Sequence, residues 1–342
     1  MVLHYKCPSC GADMVFDSSS GMLSCHSCGR KDDIESFPKE FISKIFAPKE
    51  TNAYHCKNCG AVLVTDADTV ATSCSFCGAG VVLGDRVAGE LAPAKVIPFT
   101  ISKDQAMDAF RKWCKNGLLT PKGFVTADRI KSITGMYVPF WLYDMNSRVQ
   151  VSAEATQTRT YSRGDYIYTE TRYYHVYRDV DINYMKVPVD ASEKMNDDLM
   201  DRLEPYDYSG LKDFNTPYLA GYVAEKYNYN SQELLPRITA RIKNYANSYV
   251  SSTISGYSTV RYTNQNMDTK DKQAYYTLLP VWMVCYDYQK SEHTFAMNGQ
   301  TGKIVGTPPL SFGKIASWFG GISATTFVVL RIILLILGGG LW

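Results

Sequence analysis

YKCPSCGADMVFDSSSGMLSCHSCG (residues 5–29) returns as YHCKNCGAVLVTDADTVATSCSFCG (residues 54–78), and this doubled phrase decides the fold of the N-terminal region. Cys7, Cys10, Cys25 and Cys28 recur as Cys56, Cys59, Cys74 and Cys77, each displaced by 49 positions, with fourteen residues between the inner cysteines of both copies. Two residues between thiolates let one tight turn aim both sulfurs at a single ion. Gly11, Gly29, Gly60 and Gly78 follow the second cysteine of each pair, where that turn calls for positive φ. Between the pairs, ADMVFDSSSGMLS and AVLVTDADTVATS each read as two short strands around a polar turn, a hairpin that returns the second knuckle to the first. The expected product is a zinc ribbon, written twice in tandem, with two zinc ions, one per ribbon.

The residues leave two alternatives open. Iron could replace zinc, and Cys25 with Cys28 could join Cys56 with Cys59 across the linker, although the common period favours two self-contained sites. A dithiol redox role is disfavoured because no βαβ pattern surrounds the pairs. His26 and His55 lie beside ligands as bystanders. Four thiolates saturate an ion and leave no place for water or substrate, so both sites are expected to be structural. Each ribbon is too small to fold on its own core, and zinc binding of roughly 10–16 kcal/mol supplies the missing stability.

The chain has 342 residues, enough for two or three domains, and is 45% apolar and 20% charged, the composition of a folded protein. Its net charge of +2 creates no overall field toward nucleic acid or acidic lipid. The start MVLHYKC is no export signal, so paired thiols point to a reducing cytosol. The unpaired Cys114 and Cys285 read as small buried apolar residues. Phosphate binding needs clustered Lys and Arg. The ribbons instead balance Lys6, Arg30, Lys31, Lys57 and Arg86 against Asp13, Asp17, Asp66, Asp68 and Asp85, so nucleic acid is not the expected partner.

The segment KEFISKIFAPKE between the ribbons places Phe41, Ile42, Ile45 and Phe46 on a short helical face. GELAPAKVIPF reads as an extended linker held by Pro93 and Pro98. Ser102 with Gln105 forms a capping box before Ala106, Phe110 and Trp113 at helical spacing, and Gly117 stops that helix. Strands follow from Met136 to Ile182, with Val149, Val151, Ala153 and Ala155 alternating with polar residues and SRGD (162–165) at a hairpin tip. Further helices are expected across ASEKMNDDLMDRLE and within SQELLPRITARIKNYANSYV. The last strands are LLPVWMVCYDY and EHTFAMNGQTGKIVG, the latter turning at Asn298 and Gly299. Pro139-x-Trp141 with Tyr143-Asp144 resembles Pro280-x-Trp282 with Tyr286-Asp287, which hints at two related halves. Seven tyrosines between Tyr161 and Tyr184 suit either a half-buried sheet or a surface for a partner.

No catalytic pattern emerges. His175 and His293 lack a metal-type residue at i+4, GQTGKI (299–304) has the wrong spacing for a phosphate loop, and no nucleophile elbow is present. The chain is therefore not expected to be an enzyme. Residues 322–342 are apolar and rise roughly 31 Å as a helix, about one hydrocarbon thickness. Arg331 inside that span would pair with a polar group on a neighbouring helix, or snorkel. Lys303 and Lys314 precede the segment and no cation follows, so the N-terminal part is expected on the cytosolic side.

In YKCPSCG, YHCKNCG, YVPFWLYD, LLPVWMVCYDY, MNGQTGK and the apolar end, the chain resembles a bacterial family of membrane-anchored proteins with transcription-factor-IIB-type zinc ribbons. Members are often labelled primosomal-helicase-like, a label that touches this sequence only through its knuckles. Some relatives resemble partners of phage-shock membrane-stress proteins. The resemblance implies the eight paired cysteines as zinc ligands, the tail as anchor, and a peripheral coat-type protein as partner.

The reading is an α+β protein: ribbon 1 over residues 1–31, a linker with a short helix over 32–53, ribbon 2 over 54–86, a linker over 87–100, an α+β body over 101–310 and a transmembrane helix over 319–342. The expected function is a non-enzymatic, membrane-tethered cytosolic adaptor that binds other proteins, among them a membrane partner. The alternative is a nucleic-acid-binding replication or transcription factor.

Overall fold

The computed structural model describes residues 2–45, 53–56, 62–66, 68–74, 79–83, 92–115, 117, 119–121, 133–288 and 291–336. The chain is mixed α+β. Strands β1 (Val2–Tyr5), β2 (Met14–Asp17), β3 (Met22–Cys25) and β4 (Lys31–Asp32) build the first cysteine unit, followed by β5 (Ile42–Ile45). The second unit carries β6 (Ala53–His55), β7 (Val62–Val64), β8 (Thr69–Ser73) and β9 (Gly80–Leu83). The body holds β10 (Lys95–Val96), α1 (Lys103–Lys115), β11 (Ile133–Arg163), β12 (Tyr166–Asp190), α2 (Asp197–Arg202), β13 (Lys212–Asp213), β14 (Val223–Glu225), α3 (Leu235–Ser252), β15 (Thr259–Tyr288), β16 (Ser291–Asn298) and β17 (Ile304–Gly306). Helix α4 (Phe312–Ile336) ends the described chain.

Two expectations for the N-terminal region are corrected. The short helix at Phe41–Phe46 is absent from the described part: a 3₁₀ turn at Lys39–Phe41 leads straight into β5, which pairs antiparallel with β1 from Tyr5↔Ile42 to Val2↔Ile45. Apolar spacing of three fits a helix, but the open edge of β1 offers a full ladder and wins. Of the residues read as a linker, 87–100, the described 92–100 are extended as expected yet pair into the body, with Pro93, Val96 and Ile97 buried. Ala94 donates to the Tyr276 carbonyl (2.9 Å), Ile97 to that of Leu278 (3.0 Å), and Phe99 is buried. Pro93 and Pro98 fit here because their neighbours carry the hydrogen bonds.

The body is organised about the pair Val138↔Leu279, near the Ile133 end of the antiparallel β11–β15 ladder. A two-fold rotation about that pair carries Pro139 onto Pro280 and Trp141 onto Trp282. The neighbours obey it too. β14 runs parallel to β11 with Met136↔Val223 and Tyr137↔Ala224, and β10 runs parallel to β15 with Lys95↔Thr277 and Val96↔Leu278. Trp141 Nε1 donates to the Tyr229 carbonyl and Trp282 Nε1 to the Ile101 carbonyl, both at 3.0 Å. Ser102 and Gln105 cap α1 reciprocally, as Asn230 and Glu233 do before α3. Ala106, Phe110 and Cys114 are buried on α1, and Leu234, Ile238 and Ile242 hold the matching buried places at α3.

The halves are crossed. Phe110 of α1 meets Phe295 of β16 at 5.2 Å between ring centres, whereas α3 lies along β11 and β12 with Ala246 and Val250 against Val149, Val151, Ala153 and Val176. Each helix thus covers the hairpin of the other half. Truncating the indoles tests the clasp. Trp282→Phe is expected to lower stability by about 1–3 kcal/mol because a carbonyl loses its donor. Trp141→Phe, at a more exposed site, should lose less when thermal unfolding of the two variants is compared.

The expected hairpin tip at SRGD is present: β11 and β12 pair out to Arg163↔Tyr166, with Gly164 at φ 64°. β15 begins at Thr259 opposite Thr156, much earlier than its apolar portion suggested. Helix α2 is shorter than the stretch 191–204, starting where the Asn196 side chain caps Leu199 N–H (2.9 Å). Helix α4 begins earlier than the apolar segment suggested and roots itself at the end of α1, where Ser311 N–H donates to the Leu119 carbonyl (2.8 Å) and Lys314 Nζ to that of Thr120 (2.7 Å).

Candidate metal centre

In the first unit, β2 and β3 form the expected hairpin, from Met14↔Cys25 to Asp17↔Met22. It rests on the body through Phe16, whose ring meets Tyr218 at 5.4 Å and Tyr222 at 6.2 Å. Two knuckles of one design sit on this hairpin. Gly11 N–H returns to the Cys7 carbonyl and Gly29 N–H to that of Cys25, both at 2.9 Å, and both glycines adopt positive φ (70° and 76°). A side chain would strain that backbone, so the glycine after each pair is a requirement of the turn.

The four sulfurs converge. Cys7 Sγ lies 3.5 Å from Cys28 Sγ and Cys10 Sγ 3.5 Å from Cys25 Sγ, and all four atoms fall within 4.8 Å of one another. A tetrahedral ion with metal–sulfur bonds of ~2.3 Å separates its ligands by about 3.8 Å, so the donor set suits a zinc-sized ion. Cys7 and Cys25 are buried while Cys10 and Cys28 face solvent. Burial opposes charge on Cys7, but the Ser9 and Cys10 N–H groups and the neighbouring thiols outweigh it and bring its pKa to about 7. The Arg30 backbone favours the Cys28 thiolate, yet crowding by the Cys7 and Cys10 sulfurs prevails and pushes it up to about 12. One thiol ionises readily and further negative charge is resisted, a conflict that a bound dication resolves.

The second unit repeats part of this. Its His55↔Val62 pair matches the Lys6↔Asp13 bridge, and Thr72↔Val81 with Ser73↔Gly80 match Leu23↔Asp32 with Ser24↔Lys31, all displaced by 49. Cys74 N–H donates to the Ala79 carbonyl at 2.8 Å, as Cys25 N–H does to that of Arg30. Cys56 and Cys74 are buried in one cluster with Tyr54, Leu63 and Leu83. Among the described residues the expected inner hairpin is not formed, however, because β7 pairs with β6 whereas β8 pairs with β9 and with β14 of the body. The β14 edge attracts β8 into the large sheet, and Lys194 ties the junction by reaching Asp66 (2.9 Å) and Glu225 (3.2 Å). Cys59 and Cys77 lie outside the described residues. Among the described residues, the first quartet is the cluster of potential metal ligands that gathers this closely.

The remaining sequence candidates stay apart from the quartet. Cys114 is buried in the core beneath α1, where burial pushes its thiol up to about 11. Asn298 is a buried structural acceptor that receives the N–H groups of Gln300 and Thr301 (2.9 Å each), so GQTGKI is a turn. The sequence reading missed Asp190, which occupies the place of Asn298 under the two-fold. Asp190 is 1% exposed, accepts from Ser192 N–H (3.1 Å), and among the described residues has no hydrogen-bond partner for its second oxygen. Only the alignment of the halves could have singled it out.

Helix α4 carries a span, Phe312–Ile333, with mean hydropathy 1.4 and no part buried against the rest of the chain. It is apolar and long enough to cross a membrane.

No family model and no solved structure matches the chain. It is similar to the uncharacterized protein YdjG of Bacillus subtilis (strain 168), with 62% identity over 340 residues, 99% of this chain and 100% of that protein. The four-cysteine centre, the body and the apolar helix all fall within so long a match, and the chain belongs to the family of YdjG.

Proposed function

We propose that the protein is a non-enzymatic adaptor, tethered to the cytoplasmic membrane by α4, whose cytosolic ribbons and body bind other proteins. The observation that carries the reading is the closed quartet: four sulfurs within 4.8 Å of one another leave an ion no open ligand position for substrate. In this reading two zinc ions are bound, one by Cys7, Cys10, Cys25 and Cys28 and one by Cys56, Cys59, Cys74 and Cys77. The partners are a membrane protein and a peripheral coat-type protein of a phage-shock-type stress response, as the family resemblance implied.

Charge pairing argues against the nucleic-acid alternative. Lys6 meets Asp13 at 2.7 Å, Lys31 meets Asp17 at 2.9 Å and Arg30 meets Asp32 at 2.8 Å, so the cations of the first ribbon are already neutralised. Fractionation tests the tether: the full chain is expected in the membrane pellet and the chain lacking residues 322–342 in the supernatant. A full-length protein found in the soluble fraction would defeat it. Binding to DNA or RNA that weakened steeply with rising salt would move the reading to a nucleic-acid factor.

A further inference from the structure

The hairpin of β11 and β12 continues well past everything that supports it. β15 starts opposite Thr156, and α3 ends at Ser252, where Arg178 of β12 reaches the Thr253 carbonyl at 3.0 Å. From Gln157 to Arg172 the arm is two strands alone, pairing as Gln157↔Arg172 through Arg163↔Tyr166. Two strands without a third or a covering helix are marginal in water. Yet this tip carries Tyr166, Ile167 and Tyr168, with Tyr173 directly after it, exposed by 72, 76, 45 and 81%. Along the tip, the outer edge of β12 pairs with nothing among the described residues and contains no proline. Such an edge is a template for an added strand.

The charges on that edge say which strand fits. Glu170 and Arg172 flank Thr171, on the same face of the strand, and meet each other at 2.8 Å. When two copies of β12 lie antiparallel with Thr171 opposite Thr171, each Glu170 stands opposite the other copy's Arg172. Tyr168 then stands opposite Tyr174, and Thr169 opposite Tyr173. The register also suits the backbone. Arg163 and Tyr166 close the two-residue turn as a hydrogen-bonded pair, so by alternation Thr171 turns its N–H and C=O outward. Like charges at 170 and 172 would repel the copy, whereas this opposite-charge pair attracts it, and the two-fold axis makes the attraction occur twice.

We propose that two copies of this chain join through the free edges of their arms, β12 against β12, antiparallel about Thr171. The result is a closed two-fold pair whose joint is four-stranded, β11 and β12 of one copy continuing into β12 and β11 of the other, which gives each tip the neighbour it lacks.

The test uses full-length chain in detergent, co-expressed with two different tags. Wild-type copies are expected to capture each other. Glu170→Arg and Arg172→Glu should each weaken self-capture roughly tenfold or more, because two opposite-charge pairs become like-charge pairs. Mixing these two variants should restore capture, since each then supplies the charge the other needs. Thr171→Cys should form a disulfide-linked dimer and Thr169→Cys should not, in comparison with the parent chain. Absence of self-capture, capture indifferent to both reversals, or failure of the mixture to recover overturns the proposal. Both reversed positions are solvent-exposed, and unchanged thermal unfolding of the variants separates lost pairing from lost folding.

Discussion

Replacing Cys7 or Cys25 with serine is expected to remove one metal ion per chain and unfold the first ribbon. Its strands are four residues or fewer, and its core is Met14, Phe16, Leu23, Ile34 and Phe37. A core of that size contributes little against chain entropy, whereas zinc held by four thiolates contributes roughly 10–16 kcal/mol in small ribbons. Elemental analysis should fall from two zinc ions to one. New protease cuts should appear between residues 6 and 32 while β11 and α3 stay protected. Unchanged metal content would show that these sulfurs are not the cage. The same substitution at Cys56 or Cys74 reports on the second site independently, and a wild-type content of one ion would remove that site from the proposal.

Asp190→Asn is expected to stabilise the protein above neutral pH and to flatten its pH profile. Burial raises the Asp190 carboxyl from 3.8 to about 7, reinforced by Asp197 and Asp201 and opposed by the Ser192 N–H and Arg237. The folded state therefore holds a proton between about pH 4 and pH 7 that the unfolded chain has released. Stability from this group is complete below about pH 4, falls as pH rises through the interval, and is lost above about pH 7. Three pH units at 1.36 kcal/mol each bound the loss at about 4 kcal/mol. Asparagine has the shape of the neutral acid and already fills the matching place as Asn298. Thermal unfolding of wild type and variant from pH 4 to 8 should diverge with rising pH. Parallel curves would show that Asp190 does not carry the proton.

The first ribbon was legible in the sequence because metal geometry leaves few spacings for four thiols, and glycine after each knuckle adds a backbone signature. The capping box at Ser102 and Gln105 was legible for the same reason: it is local. The halves were glimpsed only through Pro-x-Trp. The displacement is 128 between the capping boxes, Ser102 to Asn230, but 141 between the tryptophans, Trp141 to Trp282, so no single offset reveals the repeat. The strand at Ile42–Ile45 and the core position of Phe99 depend on distant edges, β1 and β15, that a local pattern does not contain. The early part of β15 was missed because its polar side chains face solvent and obey no alternation. The pairing of β8 in the second cysteine unit with β14 is likewise a tertiary choice.

The root of α4 and the tip of the arm lie toward opposite ends of the molecule. Thirty steps of β11 separate Ile133 from Arg163, which at ~3.3 Å per residue is a reach of up to about 100 Å. With α4 anchored as proposed, whatever grips the tip is kept far from the lipid that holds its own chain. For a pair joined head to head, the two points of attachment stand well over a hundred ångströms apart by the same arithmetic, roughly 160 Å. The assembly would act as a strut between distant patches of bilayer, setting a spacing and not merely a contact.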